Sequence, residues 1–323
     1  MLYTPITIGS LELKNRLVMP PMQTNRADCG HVTDDLVDYY CQRARWSAPG
    51  LIVTEHSCIT EGGRASKHQL SIAEDAMIEE HRRIIDAVHE AGSRLMVQLN
   101  HGGSAGEPFE EGQLVSASAV VNPRKKLSLP RPLTVDEILV LEDCYAEAAL
   151  RALAAGYDAV EIHCAHAYLL NQFYSPLTNQ RRDEYGAGSV ENRTRFLRET
   201  IAKVRSAIGD KVPLAVRLGG ADYLPGGSTE EDAAEAAVLL QQSGIDLLDL
   251  SGGMCGYDRP QHSEPGYFSS MAEKVKAGVT LPVLLTGGVR KLCDAEQLLA
   301  EGKADLIGVG RALYKDAHWA ENA

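Results

Sequence analysis

The chain has no C-x-x-C pair, no long apolar run and no basic tract, and each absence narrows what it can be. Its seven cysteines (Cys29, Cys41, Cys58, Cys144, Cys164, Cys255 and Cys293) form an odd, scattered set. They read as reduced thiols of a cytoplasmic protein, not as a disulfide frame or a zinc or iron–sulfur site. The longest basic run is RKK at 124–126, in a chain of formal net charge −12. That balance argues against nucleic acid or an anionic membrane surface as the main partner. No stretch approaches the roughly 20 apolar residues needed to span a bilayer. The opening MLYTPITIGS lacks the basic-then-apolar layout of a signal peptide. Linker-like and low-complexity breaks are missing too. The 323 residues, 44% of them apolar, therefore read as a single domain over 1–323.

What the sequence does contain is a repeated alternation. Residues 4–13, TPITIGSLEL, have period-2 character around Gly-Ser and predict a short hairpin within 1–13. Eight apolar runs follow, at 17–19, 51–54, 95–99, 159–162, 214–218, 247–250, 283–285 and 306–309, each with a helical pattern behind it. Short, nearly uncharged runs are what parallel strands covered on both faces look like. Thr134-x-x-Glu137 and Ser228-x-x-Glu231 have capping-box spacing, and Gly92, Gly156 and Gly244 stand where helices should stop. Strand–helix alternation repeated eight times predicts an α/β fold, an eight-stranded parallel (β/α)8 or TIM barrel.

Chemistry-bearing residues cluster behind the strands. They are Pro20, Pro21, Met22 and Gln23; Glu55 and His56; Gln98 and His101, at the end of the third run; His163, His166 and Tyr168; Arg217, closing the fifth; Ser251; Gly287 and Gly288; Gly310 and Arg311. A barrel gathers all such positions at one mouth, where active sites of this fold sit. His163, His166 and Tyr168 suit gripping a carbonyl or phenolate oxygen and supplying a proton. A metal is the other use of paired histidines, but neither Glu55 nor His56 stands at ligand spacing. TGGV at 286–289 and GVGR at 308–311 let backbone N–H groups approach a phosphate, with Arg311 adding charge; tight strand-to-helix turns are the plainer reading. Gln98 and Arg217, at the ends of buried strands, each need a partner: an internal one, or a cofactor that gains negative charge.

The stretch 163–196, HCAHAYLLNQFYSPLTNQRRDEYGAGSVENRTRF, resembles the signature of the Old Yellow Enzyme family. LKNRLVMPPM (13–22), VQLNHGG (97–103), the Arg217 strand, LLTGGV (284–289) and IGVGRALYKD (307–316) extend the resemblance over nearly the whole chain. It implies an FMN-dependent barrel enzyme that reduces activated C=C bonds of α,β-unsaturated carbonyl compounds with NAD(P)H. Pro21, Met22 and Gln23 would line the flavin near N5 and O4, and His56 would lie close to the ring. Gln98 would bond the pyrimidine end, Arg217 would face N1 and O2, and Gly288, Gly310 and Arg311 would hold the phosphate. His163 and His166 would bind the substrate carbonyl for hydride delivery from flavin N5, and Tyr168 would protonate the α-carbon. Relatives are often oligomers.

Departures from that pattern are Gln23 in place of a threonine or cysteine, Asn25 in place of an aromatic, Ala167 in place of glycine, and an extra Ala187. Larger relatives continue into an iron–sulfur cluster and a second flavin domain, so the chain is the short form or a piece of the long one. The loop 121–132, VNPRKKLSLPRP, is a solvated connection or a lid that meets an acidic tail such as a coenzyme A phosphate. Rival functions are an amine dehydrogenase or dienoyl-CoA/enoate reductase module, a flavin-free phosphosugar isomerase or lyase, and a non-catalytic flavin binder. The absence of a strand-end lysine argues against a Schiff-base aldolase.

Overall fold

Side chains alternate between two environments along every strand of the computed structural model, which describes residues 1–106 and 113–322. The strands are β1 (Leu17–Met19), β2 (Leu51–Val53), β3 (Arg94–Asn100), β4 (Ala159–Cys164), β5 (Leu214–Ala221), β6 (Leu247–Gly252), β7 (Val283–Thr286) and β8 (Leu306–Gly308). All pair in parallel with their sequence neighbours, and β8 returns to β1 through Ile307↔Leu17. The ring is closed, a TIM barrel as expected. Behind the strands come α1 (Asp34–Trp46), α2 (Met77–Glu90), α3 (Val135–Ala155), α4 (Arg195–Ile208), α5 (Glu230–Gln242), α6 (Ser269–Gly278), α7 (Leu292–Ala300) and α8 (Arg311–Lys315).

One face of each strand packs on these helices: Val160 and Ile162, or Val216 and Leu218, belong to the large outer core. The other face fills the barrel. Val18, Leu51, Val53, Met96, Ala159, Ala215, Leu247, Leu284 and Leu306 form an apolar plug there. The N-terminal hairpin, Ile6–Ile8 against Leu11–Leu13, stoppers its lower end by adding Ile8 and Leu13 to that plug. Because side chains return to one face every second residue, the next inward positions are Gln98, Glu161, Arg217, Asp249 and Thr286. The fold thus lays a polar layer directly on an apolar one.

Several boundaries differ from the sequence expectation. β5 and β6 run on to Ala221 and Gly252, since Arg217↔Asp249 and Gly219↔Ser251 continue the ladder. Ser251 therefore lies inside β6, and His163 lies inside β4, which runs to Cys164, not behind them; Arg217 lies within its strand as expected. The capping box of α5 is Thr229 with Asp232 instead of Ser228 with Glu231. Ser228 is spoken for: its N–H donates to Asp222 Oδ2 and its carbonyl accepts from Asp222 N. The Thr134–Glu137 box at α3 and the left-handed stop at Gly156 stand as expected.

Candidate active site

A backbone turn places the histidines and the tyrosine. After β4, His166 and Ala167 both adopt left-handed φ, +60° and +66°, a conformation that disfavours residues with a Cβ. Buried amides hold it. Asn171 Oδ1 accepts from Ala167 N (2.8 Å), and Gln172 Nε2 and Asn122 Nδ2 donate to Ala167 O (2.6 and 3.0 Å). The chain then enters the short helix Leu169–Tyr174 with Tyr168 as its N-cap.

Four rings meet as a result. His163 lies 5.1 Å from His166, 5.3 Å from Tyr168 and 6.1 Å from His56, and His56 lies 5.0 Å from Tyr168, centroid to centroid. Burial drives both His163 and His166 well below the ordinary imidazole range, and cationic neighbours including Arg217 and Arg124 reinforce this. Burial likewise holds His56 at about 4, with Lys125 adding to it. All three are neutral near pH 7, each with one N–H to give. The amide nitrogens of Asn100 (2.8 Å) and Gln69 (3.0 Å) both point at His56 Nδ1, which puts the ring's proton on Nε2. Ser251 Oγ engages His166 Nε2 at 2.7 Å, leaving Nδ1 for a ligand. Burial raises the Tyr168 phenol, which stays protonated.

The polar layer lies beneath. Gln98 Nε2 donates to Glu161 Oε1 (2.7 Å), and Arg217 Nη1 is 3.2 Å from Asp249 Oδ2, with all four side chains at most 3% exposed. The ion pair is not aligned as a hydrogen bond. Arg217 Nε and Nη1 lack an acceptor, and so, among the described residues, His163 Nδ1 and Thr286 Oγ1 lack partners. Buried donors without partners are costly, and these four belong to inward-facing side chains at or just above the polar layer.

At the other side of the mouth, Gly288 has φ +72°, and a Cβ there would stand 2.3 Å from the Glu264 carbonyl and 2.9 Å from the Tyr267 ring. Glycine is required by that packing alone. Arg311, half exposed, pairs with Asp258 Oδ1 (3.0 Å) and reaches Tyr267 OH (3.4 Å). Gly310 N-caps α8 beside the Met22 sulfur. Pro21, Met22 and Gln23 are half-buried behind β1, and the Gln23 amide is tied to Ser66 Oγ (2.6 Å) and Asn25 Oδ1 (3.0 Å).

A profile of the NADH:flavin oxidoreductase / NADH oxidase family matches residues 1–323. The chain belongs to that family. An "NADH oxidase" of Thermoanaerobacter brockii is 36% identical over 331 residues, covering all of this chain and 50% of that protein. Among solved structures, a 2-naphthoyl-CoA reductase in complex with 2-naphthoyl-CoA superposes at TM-score 0.93, with 28% identity, 99% of this chain and 51% of that one. The old yellow enzyme homologue from Zymomonas mobilis gives TM-score 0.87 and 32% identity over 99% and 91% of the two chains. The chain spans about half the length of the curated relatives it first matches.

Sequence reasoning about this family member missed the residues that hold others in place. Asn122, Asn171 and Gln172 read as ordinary polar residues. Arg124 read as part of a basic run, yet Asn122 Oδ1 accepts from its N–H (3.0 Å) and turns it toward the mouth. Its Nη1 meets His166 O (3.3 Å) and its guanidinium lies 5.2 Å over the Tyr257 ring. Glu161 and Asp249 sat unremarked inside apolar runs; a charge within such a run was the available signal.

Proposed function

We propose that the chain is an FMN-dependent ene-reductase, reducing activated C=C bonds of α,β-unsaturated carbonyl compounds at the expense of NAD(P)H. The observation that carries this is the cluster of neutral His163, His166 and Tyr168 above Arg217, whose Nε–H and Nη1–H have no acceptor among the described residues. The residues fit the cofactor: Arg217 and Gln98 would hold its pyrimidine end and His56 would lie beside the ring. Pro21, Met22 and Gln23 would line its edge, and Gly288, Gly310 and Arg311 would take the phosphate. FMN, when bound, supplies the two-electron relay between nicotinamide and substrate.

The chain's own groups do the rest. His163 and His166 each offer an N–H to the substrate's carbonyl oxygen, and burial makes those bonds strong. Ser251 fixes the His166 ring. Tyr168 carries the proton for the α-carbon. Tyr168→Phe therefore slows substrate reduction by roughly 10²–10⁴-fold and leaves reduction of the cofactor by NAD(P)H nearly intact, as stopped-flow of the two half-reactions would register. An unaffected oxidative half-reaction removes Tyr168 from the role. The seven free cysteines suit a cytoplasmic setting.

A second reading, an acyl-CoA reductase, is favoured by Arg124 and Lys125 facing the mouth. Reversing the charge of Lys125 and Lys126 then raises KM for acyl-CoA substrates; an unchanged KM discards it.

A further inference from the structure

Glu161 and Asp249 are acidic, inward-facing and 0% exposed, on β4 and β6, the two strands flanking β5 and its Arg217. Gln98 from β3 gives its N–H to Glu161 Oε1, Arg217 from β5 stands 3.2 Å from Asp249 Oδ2, and His163 lies one inward step up β4. Among the described residues, Glu161 Oε2 and both Asp249 oxygens receive no hydrogen from any N–H or O–H donor. The two carboxyls share one dry layer with a single guanidinium, Arg217, on the strand between theirs. Two ionised carboxylates beside one cation would leave a net buried charge there; one proton held by the pair removes it. Oε1 of Glu161 is occupied as an acceptor, so Oε2 is the atom left to carry it. Arg217, nearer to Asp249, keeps that partner the anion.

We propose that Glu161 and Asp249 share one proton, held on Glu161, and act as positioning residues that anchor Arg217 for the flavin. The layer then sums to zero charge: Glu161 neutral, Asp249 negative, Arg217 positive. A buried guanidinium is thereby neutralised without consuming its Nε–H and Nη1–H, which stay available to the ligand. The positioning half rests on the flavin reading above; the shared proton does not.

Infrared spectra of the protein in H2O and D2O, as purified, test the proton. A protonated-carboxyl band sensitive to D2O is expected at neutral pH in the wild type and is lost in Glu161→Gln. The midpoint potential of the FMN-loaded protein tests the positioning. Glu161→Gln, a neutral donor of similar shape, leaves it unchanged, whereas Asp249→Asn, which strips Arg217 of its counter-charge, raises it. A wild type without the band, or a Glu161→Gln potential raised like that of Asp249→Asn, overturns the proposal, because Glu161 was then ionised. Should Asp249→Asn fail to fold, the two Glu161→Gln readouts decide alone. A protein that takes up no FMN sinks the flavin reading and the positioning role with it, while the band still decides the proton.

Discussion

Ala167 holds φ +66° at the pivot of the turn after β4, where glycine would meet no Cβ penalty. The three hydrogen bonds from Asn171, Gln172 and Asn122 keep it there. Ala167→Gly should stabilise the protein by about 1 kcal/mol, read as a raised urea midpoint; a lowered one would show that the turn is not strained. His101 supplies a second test at this scale. Burial holds its imidazole at about 4 against about 6.5 in an unfolded chain. Below pH 6.5 the unfolded chain binds a proton that the native state refuses, so this group's contribution falls as pH drops toward 4. Relative to His101→Asn, whose amide oxygen still accepts from Gly103 N, the wild type should lose about 2 kcal/mol between pH 7.5 and pH 5. An unchanged difference between the two proteins contradicts a neutral His101. Residue by residue, the candidate groups were legible as polar side chains at the ends of apolar runs, and the structure brings the His163, His166 and Tyr168 rings together. Their supports were not, because an asparagine at 122 or 171 acquires meaning only when a distant carbonyl is brought beside it.

Among the elements, α8 depends most on a partner distant in sequence. It is one short turn, Arg311–Lys315, too short to be stable by itself. Arg43 of α1 ties it down by donating from Nε to Leu313 O (3.2 Å) and from Nη2 to Tyr314 O (2.9 Å), while its guanidinium stacks 3.7 Å from the Tyr39 centroid. Arg43→Met keeps the stem and removes the donors. It should cost roughly 1.5–3 kcal/mol and, with Gly310 and Arg311 in their proposed phosphate-binding role at the start of this helix, speed release of FMN; unfolding curves and cofactor off-rates check both. Equal stability would show that the carbonyls find water instead. Periodicity gave the existence of the elements and most of their starts. Strand ends escaped it because small and polar residues such as Gly219 and Ser251 continue a ladder as readily as apolar ones once both faces are buried. The α5 cap escaped it because two overlapping spacings, Ser228–Glu231 and Thr229–Asp232, satisfy the same rule, and only the Asp222 contact chooses between them.

Across the whole molecule, closure of the barrel converts scattered positions into a layered interior: hairpin, apolar plug, polar layer, ring cluster. No helix among the described residues is long and apolar enough to cross a membrane. Eight alternations in a row made the barrel legible, because parallel strands with helical crossovers and no unpaired edge have few other arrangements. The mouth was only half legible. The glycine turns were visible, but the segment that packs on them through Tyr267 and Asp258 carries no local mark of doing so. In the proposed function a flavin lies between the polar layer and the four rings. The most direct measurement is the visible spectrum of the purified protein, followed by anaerobic titration with a simple phenol. A yellow protein whose flavin develops a long-wavelength charge-transfer band places the His163–His166 pair over the cofactor, as predicted. A colourless protein that also fails to take up added FMN would contradict every cofactor role assigned to these residues.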